Sequence, residues 1–141
     1  MFHLPTERYL AVKVVMMPRD TNAVGTIFGG VLLSYIDQAG AVGALHEIRG
    51  QSWPARAIVT VAMNGVEFHE PVQVGDVVSF WTRVVRVGRT SITTHVSVEA
   101  ERESGPALLT EAEVVYVSID PLSPVRKTLP IRGDAGPAPS P

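Results

Sequence analysis

The chain has 141 residues, 45% of them hydrophobic and 18% charged, with a formal net charge of -2 and no cysteine. That length holds one domain with a proper core, and that hydrophobic content argues for folding over disorder. The charge balance removes any general electrostatic reason to bind nucleic acid or an anionic membrane, and the missing cysteines remove disulfides, thiolate metal sites and cysteine nucleophiles.

The opening residues, MFHLPTERYL, lack a basic segment followed by an apolar run, so no secretory signal is expected and the protein reads as cytoplasmic. Tyr9 to Met17, YLAVKVVMM, is rich in β-branched and apolar residues and predicts a strand that stops at Pro18. A loop, PRDTNAVGTIF, leads to a helix predicted from Gly29 to about Ile48, with Arg49 in its last turn and Gly50 closing it. Between Gly29 and Leu45 the only charged residue is Asp37, over a length near the lower limit for spanning a bilayer. Ser34, Gln38 and several glycines interrupt that run and no cationic flank precedes it, so it predicts a buried helix and no membrane span.

Four stretches of strand character follow: Ala57 to Met63, Asp76 to Val87, Thr90 to Ala100 and Ala107 to Ile119. The tight turns VGRT and ESGP separate the last three, which makes antiparallel hairpins the economical connection. A single-layer sheet needs cover on one face, and one helix is available to give it. Because that helix is apolar nearly all round, its second side must be buried too, by a curled sheet or by another subunit. The expected fold class is α+β, a curved antiparallel sheet of five to six strands wrapped around one long central helix, over residues 1–121. Residues 122–141, rich in proline and small residues, read as an exposed tail ordered at most near its start. The RGD at Arg132 to Asp134 matches an adhesion motif only by letter.

On a helical wheel the neighbours of Asp37 are Gly30, Leu33, Ser34, Gly40, Ala41 and Ala44, a small and apolar face. An ionised carboxylate there costs several kcal/mol, of the order expected for poorly solvated charge, unless it is hydrogen-bonded or lines a wet cleft. Two readings stand: a structural acid bridging nearby backbone, or a general base or nucleophile tuned by its surroundings. Gly29 and Gly30, at the helix start, offer free N–H groups and the positive dipole end, either as an oxyanion hole or as a plain glycine entry to a tightly packed helix. Gly29 and Asp37 are eight residues apart, a rise of about 12 Å on a straight helix. One helix cannot set both at a single carbonyl carbon. A catalytic reading therefore requires two chains, with two equivalent sites at a dimer interface.

The motifs N-A-V-G-T-I-F-G-G and D-Q-A-G-A, followed by VEFHEPVQVGDVV and VVRVGRTSI, resemble those of the hotdog-fold acyl-CoA thioesterases, the bacterial and brain-type acyl-CoA hydrolase group. The resemblance covers roughly Tyr9 to Pro121. It implies hydrolysis of acyl-CoA to a free acid and CoA, with no metal and no organic cofactor, coenzyme A being part of substrate and product. It further implies that Asp37 is the general base or a direct nucleophile, that Asn22 orients the water or the thioester carbonyl, and that Gly29 and Gly30 offer N–H groups to the thioester oxygen. The assembly implied is a homodimer or a trimer of dimers. Thioester hydrolysis needs no histidine, so His46 reads as a dipole-stabilised cap or a packing residue in the last helical turn, and His69 and His95, without metal spacing, as surface or core residues.

The nucleotide end of CoA is anionic and calls for local cations. Arg89 in the turn, with Gly88, Thr90 and Ser91, and Arg126 with Lys127 after the last strand are the candidates. The chain has VRKTLP where that family often ends in a K-P-R-P type segment, a departure at Arg126 and Lys127. Two rival readings are a hotdog hydratase or dehydratase and a non-catalytic acyl-CoA-binding or sensing protein. The first usually pairs its acid with a histidine near the helix, and none lies between Thr6 and Leu45. The second has little use for a carboxylate near a neutral thioester.

Overall fold

A computed structural model describes residues 2–133. The elements run β1 (Tyr9–Val15), a short 3-10 turn (Pro18–Asp20), α1 (Gly29–Gly50), β2 (Ala57–Phe68), β3 (Val77–Val87), β4 (Ser91–Arg102) and β5 (Gly105–Ile119). The strands form one sheet in the order β1-β3-β4-β5-β2, and every neighbouring pair is antiparallel. The architecture is the expected α+β arrangement, with five strands.

Period-two alternation puts Ile92, Thr94, Val96, Val98 and Ala100 of β4 and Ala112, Val114 and Tyr116 of β5 on the buried face. The helix lays its stripe of Leu32, Ile36, Ala39, Gly40, Gly43, Ala44 and Ile48 against them. The approach is close: a methyl group at Gly40 would run into the Tyr116 hydroxyl, and one at Gly43 into the Thr82 side chain. Those two glycines let the sheet reach the helix backbone, and the Thr94 hydroxyl donates to the Gly40 carbonyl at 3.1 Å. The opposite side of the helix is different. Gly30, Ser34, Gln38 and Val42 are exposed, so the chain's own sheet covers one stripe of α1 and leaves the other bare.

Beyond shifts of one or two residues at the ends of β1, β3, β4 and β5, three departures from expectation stand out. β2 continues past Met63 to Phe68, because the ladder slips between Asn64 and Glu67, where Gly65 takes a positive φ of 60°. Such a bulge absorbs the Asn-Gly pair that otherwise reads as a strand end. The helix runs through Gly50, and the left-handed residue that ends it is Ser52, with φ 57°; the Trp53 N–H then closes on the Ile48 carbonyl at 3.0 Å. Past Pro121 the chain makes an exposed turn, with Leu122 and Val125 open to solvent, and returns to the sheet at Thr128. The Leu129 N–H donates to the Ser118 carbonyl at 3.0 Å, and the Ile131 N–H to the Arg89 carbonyl at 2.8 Å. Ile131, expected in an exposed tail, is fully buried and seals the end of the core beside Ile48 and Ala55. One isoleucine among prolines carries no periodicity to announce this. The rest of the tail, including Asp134 of the RGD letters, lies outside the described residues. Among the described residues no helix is long and apolar enough to cross a membrane.

Candidate active site

Asp37 lies on the boundary between the covered and bare sides of α1 and is half-buried. One of its carboxylate oxygens accepts a hydrogen bond of 2.6 Å from the Thr60 hydroxyl on β2. Its backbone carbonyl accepts another of 2.6 Å from the Tyr116 hydroxyl on β5. Thr60 and Tyr116 stand opposite each other in the β2–β5 ladder, so one rung of the sheet grips the residue at two points. Burial pushes the Tyr116 phenol well above its ordinary value of 10.0, and the nearby Asp37 charge adds to the rise. Tyr116 therefore stays a proton donor at any ordinary pH.

At the helix start Phe28 is the N-cap and makes no side-chain hydrogen bond to the first turn. The leading N–H groups of a helix have no intrahelical acceptor, so Gly29 and Gly30 present donors and the positive end of the dipole. A groove of about 400 Å³ opens beside Gly29, walled by Ile27, Leu32, Phe68, His69 and Val72. A second, of about 500 Å³, flanks Gly30 on the bare side, against Phe28, Tyr35 and Gln38. Asp37 lines neither groove. A methyl group at Gly29 would make an ordinary contact with the Phe68 ring at 3.6 Å, whereas one at Gly30 would require the exposed Phe28 ring, 2.5 Å away, to shift.

Asn22 organises the loop before the helix. Its side-chain oxygen accepts from the Val24 and Thr26 N–H groups at 3.0 and 3.1 Å, and its amide nitrogen donates to the Thr26 hydroxyl at 2.8 Å. An amide nitrogen carries two protons, which leaves one for another acceptor.

The structure brings Asp37 to Thr60 and Gly29 to Phe68, towards opposite ends of β2, in agreement with the separation counted along the helix. The candidate cations lie further off. Thr90 and Arg89 accept backbone bonds from Ser118 and Ile131, and Lys127 from Asp120, so Gly88 to Ser91 and Arg126 with Lys127 cluster at the Ala57–Ile119 end of the sheet. Phe68, beside Gly29, pairs with Thr110. Thr110 and Ile119 are roughly 30 Å apart at about 3.3 Å per strand residue. Within one chain these cations stand well away from Gly29.

Three residues went unread in the sequence. Tyr116 is a buried polar group in an apolar run, a pattern that flags a partner without naming it, while Thr60, exposed on β2, carries no such signal. Glu111 joins two histidines that sequence distance kept apart: its two carboxylate oxygens lie 2.9 Å from His69 Nε2 and 3.3 Å from His95 Nε2. Hydrogen bonds from His69 first and His95 second hold the Glu111 carboxyl below its ordinary value. His46 packs as expected, stacked on Tyr9 with ring centroids 3.8 Å apart.

A long helix laid on an antiparallel sheet of order β1-β3-β4-β5-β2, with an acid at mid-helix and glycines at its start, is the hotdog fold. The chain belongs to the thioesterase superfamily, whose family model matches residues 24–107. The acyl-CoA thioester hydrolase YciA of Salmonella typhimurium is 38% identical over 129 residues, covering 88% of this chain and 92% of that protein. Cj0915 of Campylobacter jejuni, a hexameric hotdog fold thioesterase, is 43% identical and superposes with a TM-score of 0.71 over 86% of this chain and 88% of its own. HI0827, a hexameric broad specificity acyl-coenzyme A thioesterase solved as an Asp-to-Ala mutant enzyme, is 32% identical, with a TM-score of 0.74 and 86% of each chain covered.

Proposed function

We propose that this protein hydrolyses acyl-CoA thioesters to free acid and CoA, at two equivalent sites formed across a homodimer. One observation carries the reading. β2, an edge strand, holds Asp37 through Thr60 and yet has no buried residue, with Val61 56% and Phe68 55% exposed. An apolar open edge of this kind is a seat for another strand. Antiparallel pairing of two copies of β2 about its middle brings the Thr60 end of one beside the Phe68 end of the other. Asp37 of one chain then faces Gly29, Gly30 and Asn22 of its partner, which removes the separation along a single helix.

At such a site the thioester carbonyl oxygen takes N–H donors from Gly29 and Gly30, and the growing negative charge meets the positive end of the helix. Asp37 either takes the proton from an attacking water or attacks the carbonyl carbon itself, giving an anhydride that water then opens. Thr60 fixes one carboxylate oxygen and leaves the other for the reaction. Collapse of the tetrahedral intermediate expels CoA as thiolate, a far better leaving group than an alkoxide and one that needs no strong acid. The chemistry calls for no metal or organic cofactor. Asn22 positions the water or the carbonyl through its remaining amide proton. Arg89, Thr90, Ser91, Arg126 and Lys127 lie towards the Thr60 end of β2, so the chain that lends Asp37 to a site also carries these groups towards the nucleotide of the same substrate; the hexameric state of Cj0915 and HI0827 supports a trimer of dimers.

The test is thiol release from acyl-CoAs of increasing chain length. Turnover over part of the series is expected. Binding of CoA with no turnover at any length would replace hydrolysis with a sensing role. Mixed Asp37→Ala and Asn22→Ala chains, allowed to exchange, should regain part of the activity that each variant lacks alone; no recovery after demonstrated exchange would place the site within one chain.

A further inference from the structure

We propose that Glu67, His69 and Glu111, backed by His95, form a binding site for a divalent transition metal ion, with zinc the best match, at the rim of the groove beside Gly29. His69 Nε2 stands 2.9 Å from a Glu111 oxygen and 3.8 Å from a Glu67 oxygen, and the three donor atoms all lie within 4.8 Å of one another. Zinc bonds nitrogen and carboxylate oxygen at about 2.0–2.2 Å, which spaces neighbouring ligands roughly 3.3 Å apart in a tetrahedron. Side-chain adjustments of a fraction of an ångström to about one ångström close these donors on an ion.

The placement is built into the sheet. Glu67, near the end of β2, pairs directly with Glu111 of β5. His69 follows two residues after Glu67 and so projects from the same face. Its position is held by its own N–H, which donates to the Leu109 carbonyl at 2.8 Å. Two carboxylates directly opposite in a ladder repel each other, and a cation between them turns that repulsion into attraction. His95, on β4, reaches the second Glu111 oxygen at 3.3 Å and acts as a positioning residue that aims the carboxylate. Imidazole in the set selects first-row transition metals over magnesium and calcium.

His69 also walls the groove at Gly29, so an ion here would tie that wall to β2 and β5. It would lie apart from Asp37 and take no part in the proposed hydrolysis, and the site stands whether or not that reading does.

Isothermal titration of the untagged, chelator-treated protein with zinc chloride tests it, with magnesium chloride as the control. Saturable binding of one zinc per chain and a raised Tm are expected, with neither from magnesium. His69→Ala and Glu111→Gln should abolish the binding, and His95→Ala should weaken it about tenfold or more. Glu67→Gln, at an exposed position, guards against loss through misfolding and should also weaken it. Zinc binding seen only at millimolar levels, or unchanged in His69→Ala and Glu67→Gln alike, would overturn the proposal.

Discussion

β4 and β2 are each twelve residues long and each rich in β-branched or apolar side chains, yet they meet opposite fates. In β4, Ile92, Thr93, Thr94, Val96, Val98 and Ala100 are buried; in β2, no residue is. Their rank in the sheet makes the difference, since β4 is central and β2 is an edge. A central strand spends its apolar face on the helix of its own chain. An edge strand that leaves Val61 and Phe68 exposed and Val59, Ala62 and Met63 half-buried retains both unpaired backbone and hydrophobic surface for a partner. The candidate site follows the second strand, because Thr60 is the residue that holds Asp37.

That contrast can be broken most sharply at Asp37. Asp37→Ala should lower thiol release about 10²- to 10⁴-fold, the range for losing a general base, while leaving the thermal melt nearly in place. A melt that collapses with the activity would make Asp37 a structural acid. Next in size, Ile92→Ala on β4 should cost about 2–5 kcal/mol in chemical denaturation and leave the assembly intact. Val61→Asp on β2 should do the reverse, reducing the mass seen in analytical ultracentrifugation. If both variants weaken the fold equally, the two strands are not doing different work. Thr60→Ala removes a hydrogen bond to a charged group, worth roughly 1.5–3 kcal/mol, and should slow turnover about 10- to 100-fold with little effect on KM. An unchanged kcat would cut the link between β2 and the acid.

The smallest effect concerns pH. The folded Tyr116 holds its proton above the ordinary value of 10.0, whereas the unfolded phenol loses it there. The folded state then binds more protons, so this contribution to stability is complete below pH 10.0 and declines above it, by up to about 1.4 kcal/mol per pH unit. Tyr116→Phe should flatten that alkaline decline in urea titrations at pH 9 to 11; an identical slope would mean that the phenol ionises freely in the fold.

Strand and helix types were legible because local pattern sets them: β-branched runs between turn residues, and one long apolar segment ended by a cation and glycine. The lengths of β2 and α1 were less so, since a bulge at Gly65 and a left-handed Ser52 are choices that neighbouring elements impose. The burial of Ile131 belongs with these, for nothing local marks which apolar residue of a proline-rich stretch will find the core.

The residues by themselves determined that one acid stands in an apolar helix eight positions from its glycine start, and the rise of an α-helix makes two chains a requirement of the proposed mechanism. Only the tertiary structure decided what touches that acid and what gathers elsewhere. Thr60 and Tyr116 meet it because β2 and β5 share a rung. Glu67, His69, His95 and Glu111 converge because strand register sets side chains of distant sequence on one face, a relation fixed by the ladder and absent from any linear spacing.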